Sequence, residues 1–356
     1  MAVVGATGIV GQQLLVYLEK HPWFRVARLA ASQRSAGKSL ADALQDKNGA
    51  LRWWASSDPP AEYLDLVVED AAELNPGSVQ LVFSAVEAEA ARELEPLYAR
   101  EVPVVSTASA FRSEPDTPIL VGGVNMDHAK LLLTQQKKRG WKGFVAPKPN
   151  CTTAGLVVSL KPILDRFGLK TVVVTSMQAL SGAGRTPGVI GLDVIDNLLP
   201  YIPGEEEKTE SESRKILGAL RGEEIVPATF TVSATCTRVP VLDGHTVVVY
   251  AETECACPLD EAARAMREFG RGCPELGLPS APQEFIHLTG DPFRPQPRID
   301  RERGGGMTAT VGRLRRDPAW QNGLRYVCLS HNTKFGAAKG SLLTAEYLVK
   351  EFLKWV

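Results

Sequence analysis

The feature that most constrains the fold is a glycine-rich loop, Gly5-Ala6-Thr7-Gly8-Ile9-Val10-Gly11, which follows an apolar run at residues 2–4. Residues 12–19 carry leucines at helical spacing, so the loop joins a predicted strand to a predicted helix. In such a βαβ unit the three glycines allow a tight turn, close approach of a pyrophosphate and close helix packing. The helix N-terminus offers N–H groups to the phosphates, whereas a plain tight turn is the alternative. The predicted cofactor residues of the loop are Gly5, Thr7, Gly8, Ile9, Val10 and Gly11.

The first 150 residues alternate short β-branched runs with amphipathic segments. Further strands are predicted at 25–31, 81–85 and 102–106, and a helix rich in Ala, Glu and Leu at 88–100. Alternation with short links requires right-handed crossovers and gives a mostly parallel sheet. This part of the chain is therefore predicted to be a Rossmann-like, doubly wound domain.

The pattern changes after Pro147-Lys148-Pro149-Asn150. A helix is predicted at 152–164, with Asn150 or Thr152 at its cap, and β-rich stretches follow at 170–179, 228–240 and 245–254. These favour an open, largely antiparallel sheet of the α+β kind. A last helix at 336–355 is expected to pack back onto the first domain. The length of 356 residues suits two domains, predicted at 1–150, completed by 336–356, and at 151–335.

Composition excludes several classes of protein. Forty basic and 41 acidic residues give a net charge of −1, which argues against a general nucleic-acid binder. No apolar run reaches the roughly 18 residues of a membrane span, and the glycine-interrupted N-terminus is a poor signal peptide. The six cysteines have neither CxxC pairs nor companion histidines, so we expect no metal site. We expect these thiols in the reducing cytoplasm.

The end of the second predicted strand indicates which dinucleotide binds. An NAD site usually places Asp or Glu there, about 20 residues after the glycines. Residues 32–38 contain no acid but carry hydroxyl and basic side chains, which suit a 2′-phosphate. We therefore predict NADP; a solvated basic loop is the alternative. The residues concerned are Ser32, Arg34, Ser35 and Lys38.

Cys151 lies where an extended proline segment meets a predicted helix start. A thiolate at that position gains from the helix dipole, which lowers the pKa of the thiol. The alternative is a structural cysteine, because cysteine is commonly buried, as we expect of the other five. Local context alone does not decide between the two.

Taken together, these motifs resemble the aspartate-semialdehyde dehydrogenases of the archaeal and fungal type. The match runs in family order over nearly the whole chain. Its segments are residues 5–11, 31–38, 149–153, 177–184, 204–208, 215–217, 238–245, 332–333 and 336–338.

The resemblance implies NADPH-dependent reduction of β-aspartyl phosphate through a cysteine thioester, in biosynthesis of lysine, threonine and methionine. Cys151 would be the nucleophile, and Gln178 would orient it and the acyl group. His245 would be the general acid–base group, with a pKa suited to such chemistry near neutral pH. A homodimer or homotetramer is implied as well.

The resemblance also implies the substrate ligands. Arg238 would hold the α-carboxylate and Glu205 the ammonium, with Glu206 as an adjacent ambiguity. The predicted phosphate ligands are Lys208, Arg112 and Asn150. Further cofactor residues implied by the match are Ser84, Ala85, Ser181, Gly182, Asn332 and Thr333.

Three features depart from the family pattern: the short first strand, Glu87 and Phe335. Two related reductases share the thioester chemistry, namely malonyl-CoA reductase and N-acetylglutamyl-phosphate reductase, but their substrates lack the ammonium that Glu205 would bind. A non-catalytic NADP-sensing regulator is the alternative from another class. It would need none of Cys151, Gln178, Arg238 and His245.

The loop at 32–38 generates the first prediction. The kcat/KM with NADP should exceed that with NAD, because a 2′-phosphate gains charge-assisted hydrogen bonds that a hydroxyl lacks. Arg34→Ala should weaken NADP far more than NAD. Steady-state kinetics with both cofactors are the measurement, and equal values or an NAD preference would contradict it.

Overall fold

A computed structural model of the chain describes residues 1–55, 57–184 and 190–355. Its strands are β1 (Ala2–Val4), β2 (Arg28–Ala31), β3 (Val68–Asp70), β4 (Val82–Ser84), β5 (Val104–Ser106), β6 (Val145–Pro147), β7 (Thr171–Gln178), β8 (Ala219–Arg221), β9 (Glu224–Val226), β10 (Thr231–Arg238), β11 (His245–Glu252), β12 (Ile286–Leu288), β13 (Ala309–Arg316) and β14 (Gly323–Ser330). Its helices are α1 (Ile9–Leu18), α2 (Leu40–Ala43), α3 (Ala88–Ala99), α4 (Leu131–Arg139), α5 (Cys151–Phe167), α6 (Ile190–Val194), α7 (Glu205–Ile216), α8 (Leu259–Glu268), α9 (Pro297–Asp300) and α10 (Ala338–Tyr347).

The chain divides into two units. The first comprises Met1–Ile119, His128–Lys148 and Ala337–Val356, and the second comprises Leu120–Asp127 and Pro149–Gly336. The predicted domains at 1–150 with 336–356 and at 151–335 remain our proposed functional division. Among the described residues, no helix has the length and apolar character needed to cross a membrane.

The first unit is built on a parallel sheet in the order β3-β2-β1-β4-β5-β6. This is the strand order of doubly wound dinucleotide-binding domains, in which the order reverses beside the first strand. The predicted fold class is confirmed. The strands are shorter than the apolar runs suggested, because β2 begins only at Arg28 and β5 only at Val104.

Helix α10 belongs to the first unit and packs against α1. The prediction of one regular helix over 336–355 needs correction. The α-helix ends at Tyr347, and Leu348–Phe352 continue it as a π-helical turn. The last residue of the predicted domain segment, Val356, lies outside the described residues.

The second unit is built on a sheet in the order β10-β7-β11-β14-β13-β12. Strands β7, β11, β14 and β13 pair antiparallel in turn, while β10 and β12 join the two edges in parallel. Helix α5 packs against strands β11, β13 and β14. The sheet is therefore largely antiparallel, as predicted.

Helix α7 is an element that the hydrophobic pattern missed. The positions that α7 buries are Thr209, Glu212, Ser213 and Ile216, so only one of the four is apolar. A helix with a polar buried face lacks the 3.6-residue apolar period on which prediction depends. The segment beginning at Glu205 therefore looks like a solvated charge run in the sequence.

The glycine loop is tightly packed. A Cβ on Gly5, whose φ is +84°, would lie 2.4 Å from the carbonyl oxygen of Ala85. A Cβ on Gly11 would lie 2.1 Å from the carbonyl oxygen of Gly5. Both contacts are with backbone atoms, which a rotamer change cannot relieve. The loop can therefore hold its shape only with glycine at these two positions.

This packing predicts the effect of Gly11→Ala. The free energy of unfolding should fall by about 1–3 kcal/mol, the usual cost of overpacking, and NADP binding should weaken. Thermal unfolding and cofactor titration are the measurements. Gly290→Ala is the matched control, because among the described residues no atom lies within 4 Å of a Cβ built there. Equal melting temperatures for the two variants would contradict the prediction.

Candidate active site

Cys151 is the first residue of α5, and Asn150 is its N-cap. The Asn150 Oδ1 accepts hydrogen bonds from the backbone N–H groups of Thr152 at 2.9 Å and Thr153 at 3.3 Å. The sequence allows either Asn150 or Thr152 as the N-cap, and in the structure the N-cap is Asn150. The helix N-terminus carries a partial positive charge that stabilises a thiolate at Cys151.

His245 begins β11 and lies beside the cysteine. Its Nε2 is 3.2 Å from Cys151 Sγ. Its Nδ1 accepts a hydrogen bond from the backbone N–H of Ala179 at 3.0 Å. Because Nδ1 is an acceptor, the proton of the neutral ring lies on Nε2 and faces the sulfur.

The surroundings of His245 disfavour its charged form. Burial, followed by electrostatic interactions with Arg238 and His331, lowers the pKa of His245 to about 3. This pKa lies below the near-neutral value expected from the sequence, and His245 as the general acid–base group stays a prediction. The ring is a neutral hydrogen-bond donor to the sulfur.

Sheet pairing brings Gln178 and Arg238 together. Strands β7 and β10 are parallel, and their register pairs these two residues at the strand ends. The buried Arg238 guanidinium donates through Nη1 to the carbonyl of Ala179 at 2.7 Å. Gln178 Nε2 donates to Glu205 Oε2 at 3.2 Å. Ala179 thus contacts both Arg238 and His245 through its backbone.

Helix α7 distinguishes its first two glutamates. Glu205 Oε2 accepts from Asn150 Nδ2 at 2.7 Å, and its Oε1 accepts from Lys208 Nζ at 3.2 Å. Glu206 Oε1 instead accepts from the backbone N–H of Cys236 on β10. Only Glu205 therefore faces the predicted site residues, which favours it over Glu206 as the ammonium ligand.

Two glycines permit close approach of the loops around this site. A Cβ on Gly182 would lie 2.8 Å from His245 Cε1 and 2.9 Å from Arg238 Nη1. A Cβ on Gly336 would lie 2.8 Å from Cys151 Cβ. Gly182 was predicted to contact cofactor, whereas Gly336 was missed, although it lies in a matching segment. The feature that could have identified Gly336 in the sequence is the glycine itself, which allows the backbone to approach Cys151 closely.

Asn332 links two parts of the same region. Its Oδ1 accepts from the backbone N–H of Gly244 at 2.9 Å, and its Nδ2 donates to Ser181 Oγ at 2.7 Å. Thr333 is buried next to it. Asn332 therefore ties the turn that precedes His245 to the loop that carries Ser181 and Gly182.

The remaining predicted residues belong to the first unit. Ser84 ends β4, where β4 pairs with β1 at the point of strand-order reversal, and Ala85 follows it. In the loop after β2, Ser32, Arg34 and Lys38 are exposed and Ser35 is half-buried. This loop lies at the carboxyl end of a parallel strand, where such sheets bind nucleotides.

Arg112 also lies in the first unit. Its Nη2 donates to the carbonyl of Thr107 at 2.9 Å. Lys148 is fully buried in the same unit, and burial, followed by the charge of Arg112, lowers its pKa to about 7. Arg112 as a phosphate ligand stays a prediction. Nothing in the local sequence marks Lys148 as a buried lysine.

The cysteines differ in accessibility. Cys236, Cys257 and Cys328 are buried, Cys151 and Cys273 are half-buried, and Cys255 is exposed. Burial raises the pKa of Cys257 and of Cys273 to about 11. The expectation that all five other cysteines are buried is therefore wrong for Cys255, which is exposed, and for Cys273, which is half-buried. Cys255 is replaced in the labelling experiments because it is the exposed one.

Comparisons with known proteins identify the family to which the chain is similar. The family model "Semialdehyde dehydrogenase, NAD binding domain" matches residues 1–132, and "Semialdehyde dehydrogenase, dimerisation domain" matches 160–335. The aspartate-semialdehyde dehydrogenase of Methanothermobacter thermautotrophicus is 45% identical over 354 residues, 99% of both chains. That of Candida albicans is 40% identical over 361 residues, 97% of this chain and 96% of its own. The Candida albicans crystal structure with NADP has a TM-score of 0.86 at 39% identity, covering 98% and 97% of the two chains. A Vibrio cholerae structure of aspartate-semialdehyde dehydrogenase II has a TM-score of 0.77 at 25% identity, covering 99% and 98%.

The neutral state of His245 predicts the pH dependence of cysteine alkylation. In a Cys255→Ser background, the rate of iodoacetamide labelling at Cys151 should rise with pH through one ionisation, that of the thiol. His245 should add no second step between about pH 5 and 9, because its lowered pKa lies below that range.

Variants at His245 sharpen this measurement. His245→Ala should move the labelling curve to higher pH, because the thiolate loses its Nε2–H donor. His245→Gln, which keeps an N–H, should move it less. Labelling is followed by peptide mass spectrometry. A curve with a second ionisation in the wild type that disappears in His245→Ala would contradict the neutral assignment.

Proposed function

The chain belongs to the aspartate-semialdehyde dehydrogenase family, and we propose that it reduces L-4-aspartyl phosphate to L-aspartate 4-semialdehyde with NADPH. The resemblance seen in the sequence is confirmed. The observation that carries the chemistry is the 3.2 Å contact between Cys151 Sγ and His245 Nε2 at the N-terminus of a 17-residue helix. The reaction would serve biosynthesis of lysine, threonine and methionine.

The first step is attack of the Cys151 thiolate on the acyl carbon of the substrate. The C–S bond forms as the C–O bond to phosphate breaks, and inorganic phosphate leaves, so a thioester remains on the cysteine. The Nε2–H of His245 holds the sulfur as a thiolate before attack. No charged imidazolium is needed for this step, in keeping with the lowered pKa of His245.

The second step releases the aldehyde. NADPH, when bound, supplies the hydride that reduces the thioester carbon. The resulting thiohemiacetal oxyanion re-forms a carbonyl as the C–S bond breaks, and the electron pair returns to sulfur. The same His245 Nε2–H stabilises the departing thiolate.

Substrate binding follows from the charged groups around the cysteine. Arg238 matches the α-carboxylate, since its planar guanidinium can donate two parallel hydrogen bonds. Glu205 matches the ammonium, and its carboxylate lies within hydrogen-bond distance of Asn150 and Gln178. Lys208 is held near Glu205 and matches the phosphate, together with Asn150 and Arg112. The malonyl-CoA and N-acetylglutamyl-phosphate alternatives are less well supported, since they leave Glu205 without an ammonium.

The cofactor proposal rests on the first unit. At Gly5 and Gly11 the space that a Cβ would fill is taken by backbone, so the loop can cradle a pyrophosphate before α1. Gly8, Thr7, Ile9 and Val10 complete this cradle, and Ser84 and Ala85 lie at the strand-order reversal. Ser32, Arg34, Ser35 and Lys38 would hold the 2′-phosphate. In the second unit, the family resemblance implies four further cofactor residues, Ser181, Gly182, Asn332 and Thr333.

We further propose a homodimer, or a tetramer built from it, in the cytoplasm. The family model that matches residues 160–335 is described as a dimerisation domain. Along β11, every second residue is only half-buried, including Val248 and Tyr250, and Val173 on the neighbouring β7 is exposed. A sheet face with apolar residues fits a second copy of the chain. The net charge of −1 gives no reason to propose nucleic acid as a partner.

The reverse reaction tests the proposed function. Reduction of NADP with aspartate semialdehyde should require inorganic phosphate, and Cys151→Ala should abolish it. Mass spectrometry of protein trapped with substrate should place the acyl group on Cys151. Three results would contradict the proposal: activity that does not depend on phosphate, an acyl adduct on another cysteine, or turnover with malonyl-CoA in place of aspartyl phosphate.

A further inference from the structure

Helix α7 directs its carboxylates to two different parts of the second unit. Glu206 and Glu210, one turn apart, accept the backbone N–H groups of Cys236 and Ala234 on the edge strand β10, each at 3.0 Å. Glu205 and Glu212, two turns apart, both accept from Asn150. The first pair caps a sheet edge, whereas the second pair holds Asn150, the N-cap residue that precedes Cys151.

The bond from Asn150 to Glu212 is short and buried. The backbone N–H of Asn150 donates to Glu212 Oε2 at 2.6 Å, and each of the two residues is only 6% exposed. Glu205 Oε2 accepts a hydrogen bond from the side-chain Nδ2 of Asn150. Asn150 is therefore fixed at two points by one helix, while its Oδ1 caps α5.

The local sequence does not provide this bond. In a capping box, a Glu or Gln at the third helical position accepts the N–H of the N-cap residue. In α5 that position is Thr153, whose buried hydroxyl has no hydrogen-bond partner among the residues that the structure describes. Glu212, 62 residues further along the chain, takes the place of the missing capping-box residue.

We propose that Glu212 is a positioning residue for Cys151, acting through the backbone of Asn150. The same rigid helix carries Glu205 and Lys208, so the substrate-binding groups and the nucleophile share one support. Loss of the acceptor leaves a buried N–H unmet at the residue that precedes the nucleophile. Cys151 then loses its alignment with the Nε2–H of His245. The kinetic part of this proposal rests on the proposed function, but the alignment itself does not.

The test compares Glu212→Met with Glu212→Gln in the Cys255→Ser background. Methionine has a similar length but no oxygen acceptor, whereas the glutamine amide oxygen can still accept the Asn150 N–H. Glu212→Met should lower kcat by about 100-fold, the effect of a misplacement of about 1 Å at a reacting group, with KM for NADP unchanged. It should also slow alkylation of Cys151 at neutral pH, and Glu212→Gln should restore both rates to within about tenfold.

Glu210→Met is the matched control. The Glu210 carboxylate lies on the same helix and also accepts a backbone N–H. Its donor, however, is Ala234 on β10 and not Asn150. The kcat and alkylation rate of Glu210→Met should stay close to wild type. Equal losses in Glu212→Met and Glu210→Met, or no recovery in Glu212→Gln, would overturn the proposal.

Folding and function are separated within the same experiment. Circular dichroism and thermal unfolding identify a variant that fails to fold. If Glu212→Met fails to fold, the test rests on the rate of Cys151 alkylation in Glu212→Gln. A near-normal rate supports the proposal, and a rate as low as that of His245→Ala overturns it. Should the wild type lack phosphate-dependent activity, the proposed function fails, while slowed alkylation in Glu212→Met still supports the positioning role.

Discussion

The hydrogen bond between the His245 ring and the Cys151 sulfur depends on where three elements of the second unit begin and end. Helix α5 starts at Cys151, β11 starts at His245, and β7 ends at Gln178, immediately before the Ala179 amide that fixes the ring. The antiparallel pairing of β7 with β11 brings the end of one strand to the start of the other. The 3.2 Å Sγ–Nε2 contact is thus a consequence of sheet register as much as of side-chain chemistry.

The electrostatics of the pair follow from this placement. A buried histidine near the Arg238 guanidinium and the His331 ring cannot easily hold a proton on both nitrogens. The backbone N–H of Ala179 decides which nitrogen carries the single proton. The sulfur receives a hydrogen bond from a neutral ring, and the partial charge of the helix N-terminus adds to its stabilisation.

The acidic helix α7 connects Glu205, the proposed ammonium ligand, with Asn150, the residue that precedes Cys151. Its glutamates look equivalent in the sequence, yet their positions on the helix separate them into two pairs. The sheet-facing pair is Glu206 and Glu210, and the loop-facing pair is Glu205 and Glu212. The loop-facing pair holds the N-cap of α5. Burying a carboxylate without a hydrogen-bond donor costs free energy, so the polar buried face of α7 needs donors from its neighbours. For Glu205 and Glu212 the donors are the side-chain amide and the backbone N–H of Asn150, next to Cys151.

The local features of the chain can be predicted from its sequence. The glycine loop between a strand and a helix, the acid-free end of β2, the alternation of strands and helices, and the helix start at Cys151 can all be recognised from neighbouring residues. The family match added Gln178, Arg238 and His245, which lie in one region of the second unit.

Interactions between residues far apart in the chain become visible only in the folded protein. The choice of Glu205 over Glu206 required knowing which face of α7 meets Asn150, and the role of Glu212 required a contact across 62 residues. The neutral state of His245 required its burial and the positions of Arg238, His331 and the Ala179 amide. Hydrogen bonding and desolvation act through space, so a pattern along the chain can name the reacting groups but cannot set their protonation or their partners.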